Sequence, residues 1–128
     1  MERKKILIVE DNASLLDILV QFVKRAGHQP LVADTGAAAL AWAEATRPDL
    51  ILIDLGLPDM TGESVMESLK ADPRTSEIPI IVQTAFASNE RTDRALGIGA
   101  AEILVKPINL KTITEVLHRY LPETATHE

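Results

Sequence analysis

The chain contains the stretch Leu50-Ile51-Leu52-Ile53-Asp54, in which four large aliphatic residues lead directly into a carboxylate. An unbroken aliphatic run followed by turn-forming residues predicts a strand that is buried on both faces of a sheet. A carboxylate without a partner is costly to bury, but the exit of such a strand lies at the edge where open α/β sheets bind ligands. Asp54 is therefore a candidate site residue. The alternative interpretation is that it forms a turn or caps a helix ahead of Pro58.

Strand-like and helix-like segments alternate on both sides of this stretch. Aliphatic runs predict four more strands, at 5–9, 30–33, 78–84 and 102–105. Helical periodicity predicts one helix that begins at Asn12 or Ser14 and ends at Gly27, and others over 37–45, 61–72, 88–98 and 109–120. Five such repeats predict a single α/β domain over residues 1–122, with a parallel sheet, helices on both faces and right-handed crossovers. Residues 123–128 are expected to form a polar tail.

Composition narrows the possible functions. The net charge of -6 argues against general nucleic-acid binding, which depends on clustered Lys and Arg. The absence of cysteine excludes a disulfide framework and a thiolate metal site, and the three histidines are too dispersed to suggest a histidine site. The first apolar run, 6–9, is too short for a signal peptide or a membrane span. We therefore expect a cytoplasmic protein without a membrane partner.

Polar residues follow four of the five predicted strands. They are Glu10 and Asp11, Asp54, Thr84 and Lys106. Each alone has an ordinary explanation as a helix cap, a strand former or a solvated charge. Because parallel strands deliver their carboxyl ends to one edge of the sheet, all five are expected to converge there.

This set of residues favours phosphoryl chemistry with a metal ion. Crowded carboxylates repel one another, and Mg2+ relieves that repulsion because it prefers carboxylate and water oxygens. Asp11 and Asp54 are the candidate direct ligands, with Glu10 acting through water. Lys106 supplies a second positive charge for phosphoryl oxygens. Asp54 is the candidate nucleophile, because a carboxylate can itself become an aspartyl phosphate.

With these residues in place, the chain resembles the receiver domains of two-component response regulators (CheY-like) over essentially its whole length. The resemblance is carried by four motifs: Ile8-Val9-Glu10-Asp11-Asn12, Leu52-Ile53-Asp54-Leu55-Gly56-Leu57-Pro58-Asp59-Met60-Thr61-Gly62, Ile81-Val82-Gln83-Thr84-Ala85 and Leu104-Val105-Lys106-Pro107. The segment 84–87 is also similar to single-domain regulators of bacterial cell polarity and development. The implied fold is a flavodoxin-like (βα)5 doubly wound sandwich, with a five-stranded sheet of order 2-1-3-4-5.

The resemblance implies a role for each residue at the sheet edge. Asp54 would accept a phosphoryl group from a histidine kinase or a histidine phosphotransfer protein. The metal site, Glu10, Asp11, Asp54 and the Gly56 carbonyl, would hold Mg2+. Thr84 would move its hydroxyl onto the phosphoryl oxygens, and Lys106 would pair with them. The chain would then be a signalling switch and not an enzyme.

The resemblance also implies features around the site. The Lys106–Pro107 bond would be cis, and Ala85 would leave the phosphoryl pocket open. Phosphorylation would change the surface of the last two helices and strand five, and thereby the binding of a downstream protein target. Charged residues on that surface are Arg91, Arg94, Lys111 and His118. We expect Arg91 and Arg94 to face solvent, and the protein to be a monomer.

Two positions depart from the family pattern. Ile103 replaces the Tyr or Phe that commonly lies three residues before the lysine, which weakens the usual coupling between Thr and that aromatic ring. Gly56 replaces a longer side chain beside the phosphoryl group. Water should then reach the phosphoaspartate more easily, unless Phe86 shields it.

Three other functions are weighed against this one. A Mg2+-dependent aspartyl-phosphate hydrolase generally needs a second Asp two residues after the nucleophile, where this chain has Gly56. A nucleotide- or flavin-binding module generally needs a Gly-rich loop after the first strand, where this chain has acidic residues. A receiver-like scaffold that works without phosphorylation would not need Asp11, Asp54, Thr84 and Lys106, although Ile103 is compatible with it.

Overall fold

The computed structural model describes residues 3–85 and 88–121, in which five strands alternate with five helices. The strands are β1 (Lys5–Val9), β2 (Gln29–Ala33), β3 (Leu50–Asp54), β4 (Ile80–Thr84) and β5 (Glu102–Val105). The helices are α1 (Ala13–Arg25), α2 (Gly36–Thr46), α3 (Gly62–Ala71), α4 (Asn89–Ile98) and α5 (Leu110–Tyr120). The alternation predicted from the sequence is confirmed.

The strands form one parallel sheet of order β2-β1-β3-β4-β5, which is the predicted flavodoxin-like arrangement. The central strand β3 lies between β1 and β4. Val9 is paired with Ile53, and Asp54 is paired with Gln83. The ends of β1, β3 and β4 are therefore level with one another, and the residues that follow them lie at one edge.

Helices cover both faces of the sheet. One apolar cluster joins α1 and α5 to one face, and the other joins α2, α3 and α4 to the opposite face. The residues of β3 alternate between the two clusters, with Leu50 and Leu52 in the first and Ile51 and Ile53 in the second. This double burial explains why β3 is an unbroken aliphatic run.

Each helix begins at a polar side chain that accepts a hydrogen bond from the backbone of its first turn. These N-cap residues are Asn12, Thr35, Thr61, Ser88 and Asn109. The choice between Asn12 and Ser14 is thus settled for Asn12. Asp54 is the last residue of β3 and not a helix cap, because Thr61 caps α3.

Several predicted boundaries were wrong by one or two residues, such as the start of β2, which is Gln29 and not residue 30. The fourth strand begins at Ile80 and not at residue 78, because Pro79 has no N–H to donate to the sheet. Helix α2 extends to Thr46 and ends where Arg47 adopts a left-handed conformation with φ 46°. The predicted tail, 123–128, lies outside the described residues. Within the described part of the chain, every helix is too short or too polar to span a membrane.

Candidate functional site

Three carboxylates meet at the carboxyl edge of the sheet. Glu10, Asp11 and Asp54 each place one carboxylate oxygen within 4.8 Å of the others. Glu10 and Asp54 are buried and Asp11 is exposed, so one side of the cluster is open to solvent. The predicted convergence of these side chains is therefore present in the fold.

Glu10 is fixed by the backbone around it. Its own N–H donates to the Ala33 carbonyl at 3.0 Å, and its Oε2 accepts from the Asn12 N–H at 3.1 Å. Because Asn12 also caps α1, the first turn of that helix and the carboxylate of Glu10 hold one another in place.

Lys106 reaches the cluster from the end of β5. Its Nζ lies 2.8 Å from Glu10 Oε1 and 3.4 Å from Asp54 Oδ1, and its side chain is 17% exposed. Its backbone N–H donates to the Thr84 carbonyl at 2.8 Å, and the Lys106–Pro107 bond is cis, as the resemblance implied. Among the described residues, one ammonium therefore faces three carboxylates, and an excess of negative charge remains for a cation to neutralise.

The remaining predicted site residues lie at the same edge. Thr84 is the last residue of β4 and is buried, while Ala85 and Gly56 are exposed. A Cβ added at Gly56 would meet no atom within 4 Å, so the approach on that side is open. Phe86, which was named as the residue that could shield the site from water, lies outside the described residues.

Hydrogen bonds attach the loop after Asp54 to the start of α2. Both carboxylate oxygens of Asp59 accept hydrogen bonds from the start of that helix, from Gly36 N–H at 2.8 Å and Ala37 N–H at 2.9 Å. These hydrogen bonds hold the pKa of Asp59 below its ordinary value. The loop then closes on itself where Gly62 N–H donates to the Leu55 carbonyl at 2.8 Å. A Cβ at Gly62 would lie 2.6 Å from the Asp54 carbonyl oxygen, so this close approach requires glycine.

Arg91 does not face solvent freely, and the prediction that it does so was wrong. Arg91 is half-buried and forms a two-pronged ion pair with Glu63 of α3, with Nε–Oε2 at 2.7 Å and Nη2–Oε1 at 3.0 Å. The hydrogen bond from Arg91 lowers the pKa of Glu63, and the same bond raises the pKa of Arg91. Glu63 could have been suspected from the sequence, because it precedes the buried Met66 by three residues and so shares its helix face.

Gln83 is a second residue that the sequence analysis missed. It lies in β4 beside Asp54 in the sheet register and is fully buried. Its Nε2 and Oε1 have no hydrogen-bond partner among the described residues. A glutamine within the aliphatic segment 80–84 was the available signal, since the interior of such a strand offers few partners to an amide.

One known protein family matches nearly the whole chain. The family model of the response regulator receiver domain matches residues 6–118. The chain belongs to the response regulator receiver domain family. The matched range contains the entire acidic cluster, Thr84 and Lys106.

Individual receiver proteins are similar over nearly the whole chain. The polar-differentiation response regulator DivK of Brucella anthropi is 34% identical over 118 residues, covering 92% of this chain and 96% of its own. The chemotaxis protein CheY4 of Vibrio cholerae has a TM-score of 0.88 at 31% identity, covering 94% of this chain and 100% of its own.

The receiver domain of a sensor histidine kinase from Pseudomonas aeruginosa has a TM-score of 0.88 at 28% identity, covering 95% of this chain and 100% of its own. That structure has a magnesium ion coordinated in its active-site cleft. Receiver domains bind Mg2+ in an acidic pocket, and the carboxylates of this chain fit such an ion. Three oxygen donors lie within 4.8 Å of one another, one of them exposed, which leaves room for the waters that Mg2+ retains.

Proposed function

We propose that this chain is a phosphorylation-dependent signalling switch that accepts a phosphoryl group on Asp54. The observation that carries the proposal is the position of Lys106 Nζ, 3.4 Å from Asp54 Oδ1 at the edge of the acidic cluster. A carboxylate flanked by a metal-binding cluster on one side and an ammonium on the other is suited to attack a phosphoryl group.

The proposed metal ligands are Asp11, Asp54 and the carbonyl of Gly56, with Glu10 acting through water. Bound Mg2+ would neutralise negative charge on the phosphoryl oxygens. The chain's own residues would carry out the phosphoryl transfer. A carboxylate oxygen of Asp54 forms a bond to phosphorus while the bond from phosphorus to the histidine nitrogen of the donor breaks, and the histidine retains the bonding electrons.

The other residues prepare Asp54 for this step. Glu10 holds Lys106 through their 2.8 Å contact, so the ammonium is placed before the phosphoryl group arrives. Thr84 ends β4 at the same edge, where its hydroxyl is proposed to donate to a phosphoryl oxygen. The exposed positions of Ala85 and Gly56 leave a path for the donor.

The proposed partners are a histidine kinase or a histidine phosphotransfer protein as donor, and a downstream protein that binds the phosphorylated surface of α4, β5 and α5. The chain is proposed to act by protein–protein binding in the cytoplasm, and its likeness to 96% of the length of the response regulator DivK supports a regulatory role. Receiver domains are generally switches rather than classical enzymes, and this chain is proposed to act in the same way.

Intact-mass spectrometry after incubation with acetyl phosphate tests the proposal. We expect one phosphoryl group that requires Mg2+, is labile to hydroxylamine, and is absent from Asp54→Asn. Asp17→Asn, which removes an exposed carboxylate of α1, should take up the group normally. A folded wild-type protein that takes up no phosphoryl group would refute the proposal and favour the phosphorylation-independent scaffold.

A further inference from the structure

The guanidinium of Arg91 in α4 contacts both Glu63 of α3 and Leu55, the residue after Asp54. Arg91 lies in the first turn of α4, and its Nε and Nη2 bind the two carboxylate oxygens of Glu63 in α3. The same Nη2 donates to the Leu55 carbonyl at 3.1 Å. Leu55 directly follows the candidate phosphoacceptor, so Arg91 connects α4 to the backbone of the site.

Helix α4 is held by few apolar contacts. Among its described side chains only Ala95 is buried, and Leu96 is 46% exposed. Helix α3, in contrast, buries Glu63, Val65, Met66 and Leu69, and α2 buries Ala39 and Ala43. A helix with so little apolar anchoring is expected to change position at a lower cost than α3, and the ion pair is one of the contacts that orient it.

The other charged side chains of α4 do not share this link. Within residues 3–85 and 88–121, no ion pair is found for Glu90, Asp93 or Arg94. Arg94 is exposed one turn after Arg91 and lines the same groove between α3 and α4. Arg94 therefore serves as a control, because it is a cation of the same helix and groove that does not contact the Leu55 carbonyl.

The field of Asp54 reaches Arg91. The negative charge of Asp54 contributes to raising the pKa of Arg91, after the hydrogen bond and charge of Glu63. Converting the Asp54 carboxylate to an acyl phosphate adds negative charge and acceptor oxygens at that place. Arg91 then has a second anion that competes with Glu63. The groove that it lines has a volume of about 450 Å³, which gives the side chain room to move.

We propose that Arg91 is a positioning residue that couples the phosphorylation state of Asp54 to the position of helix α4. The proposal rests on the proposed function and deepens it, because it names the contact through which the phosphoryl charge acts. In the unphosphorylated state Arg91 is held by Glu63 and the Leu55 carbonyl. In the phosphorylated state the added charge draws Arg91 toward Asp54, and the first turn of α4 follows.

Hydrogen exchange read by mass spectrometry tests this coupling, with and without acetyl phosphate and Mg2+, on samples whose phosphoryl content is measured by intact mass. In the wild type we expect amide exchange in α4 to change by about fivefold or more on phosphorylation. In Arg91→Gln we expect the same phosphoryl content but a change below about twofold. Arg94→Gln should respond as the wild type does.

A second variant separates coupling from folding. Arg91→Gln leaves the buried Glu63 without its cation, whereas Glu63→Met with Arg91→Met removes both charges and leaves no unpaired group. We expect this double variant to fold and to lose the response as well. If Arg91 only stabilised the fold, its replacement would change the amide exchange rate of α4 equally in the phosphorylated and unphosphorylated proteins. The change in exchange on phosphorylation would then be as large as in the wild type.

The outcomes distinguish the two proposals. A normal phosphoryl content together with a full α4 response in Arg91→Gln and in the double variant would overturn the role of Arg91 and leave the proposed function standing. A wild-type protein without phosphoryl uptake would overturn both. Loss of the response in Arg94→Gln would also overturn the assignment, because general positive charge in the groove would then suffice.

Discussion

The ammonium of Lys106 lies closer to Glu10, at 2.8 Å, than to Asp54, at 3.4 Å. The ammonium beside the proposed phosphoacceptor is thus itself oriented by a buried carboxylate from another strand end. This pair also explains how three carboxylates coexist at the sheet edge, because Lys106 is the cation that faces them among the described residues.

Lys106→Met should lower the free energy of unfolding by about 3 kcal/mol without Mg2+, because it leaves a buried carboxylate unpaired. Added Mg2+ should restore part of that loss by binding the same carboxylates. Urea denaturation with and without Mg2+ measures both quantities. Lys111→Met, which removes an exposed lysine of α5, is the control and should change stability by less than about 0.5 kcal/mol. A Lys106→Met protein as stable as the wild type would contradict the account of the cluster.

Asp11→Ala should weaken Mg2+ binding by about tenfold or more, because it removes one of the few carboxylate ligands. In the absence of Mg2+ the same change should raise stability slightly, by up to about 1 kcal/mol, since Asp11 is exposed and its repulsion with Glu10 and Asp54 is screened. Titration calorimetry and thermal unfolding give the two values. Unchanged Mg2+ affinity would remove Asp11 from the proposed ligand set.

The stability of the protein should depend on pH through Glu63. The hydrogen bond from Arg91 lowers the pKa of Glu63 in the folded state. The pair therefore stabilises the fold above the unfolded pKa of about 4.3, and this contribution is lost as pH falls through the lower folded value. At pH 7 Glu63→Gln should cost about 1 to 2 kcal/mol, a figure discounted because the Arg91 side chain is 38% exposed.

Denaturation curves of wild type and Glu63→Gln at a series of pH values check this prediction. The difference in unfolding free energy should shrink as the pH falls below about 4. Glu67→Gln, an exposed position one turn later in α3, should run parallel to the wild type. A difference that grows in acid would have the wrong sign for a lowered pKa.

Gln83→Met should stabilise the protein by about 1 to 2 kcal/mol, because it replaces two buried polar atoms without partners by an apolar side chain of similar shape. Thr75→Val tests the opposite case, in which the buried polar group has a hydrogen-bond partner. Thr75 is also buried, but its hydroxyl donates to the Leu69 carbonyl at 2.7 Å, so its loss should cost about 1 kcal/mol. Chemical denaturation of both variants decides the matter, and a destabilised Gln83→Met would mean that the amide has a partner.

Gly56→Met should lengthen the lifetime of the aspartyl phosphate. The position is exposed and has open space for a side chain, so the variant should fold and screen Asp54 from water. The decay of phosphoprotein after removal of the donor, followed by intact mass, gives the lifetime. Gly97→Met, at an equally open position in α4, is the control, and equal lifetimes for all three proteins would refute the role of Gly56.

The fold and the cluster of charged residues were predictable from local signals. The aliphatic run 50–54 requires burial on both faces, and parallel topology then brings Glu10, Asp54 and Lys106 to one edge. The caps were equally local, since Thr61 and Asn109 lie directly ahead of apolar helical patterns. For the strands and the caps the deciding information lies within a few residues, and the parallel topology that they imply then brings distant strand ends together.

The contacts that were missed depend on residues far apart in the chain. Arg91 and Glu63 are separated by 28 positions, and no local signal pairs them, although Glu63 shares a helix face with the buried Met66. Their pairing follows only from the packing of α3 against α4. The contact between Asp59 and the start of α2 is the same case, because a carboxylate in a turn has an ordinary local explanation.

The Asp59 contact has a mechanical consequence for the loop after Asp54. On one side, Asp59 binds the backbone of α2, whose Ala39 and Ala43 are packed against the sheet with almost no exposure. On the other side, the loop is bound by Arg91 to the lightly anchored α4. The loop is thus attached to a well-packed helix on one side and to a weakly packed helix on the other. We therefore expect a charge added at Asp54 to displace the loop more at its α4 end than at its α2 end.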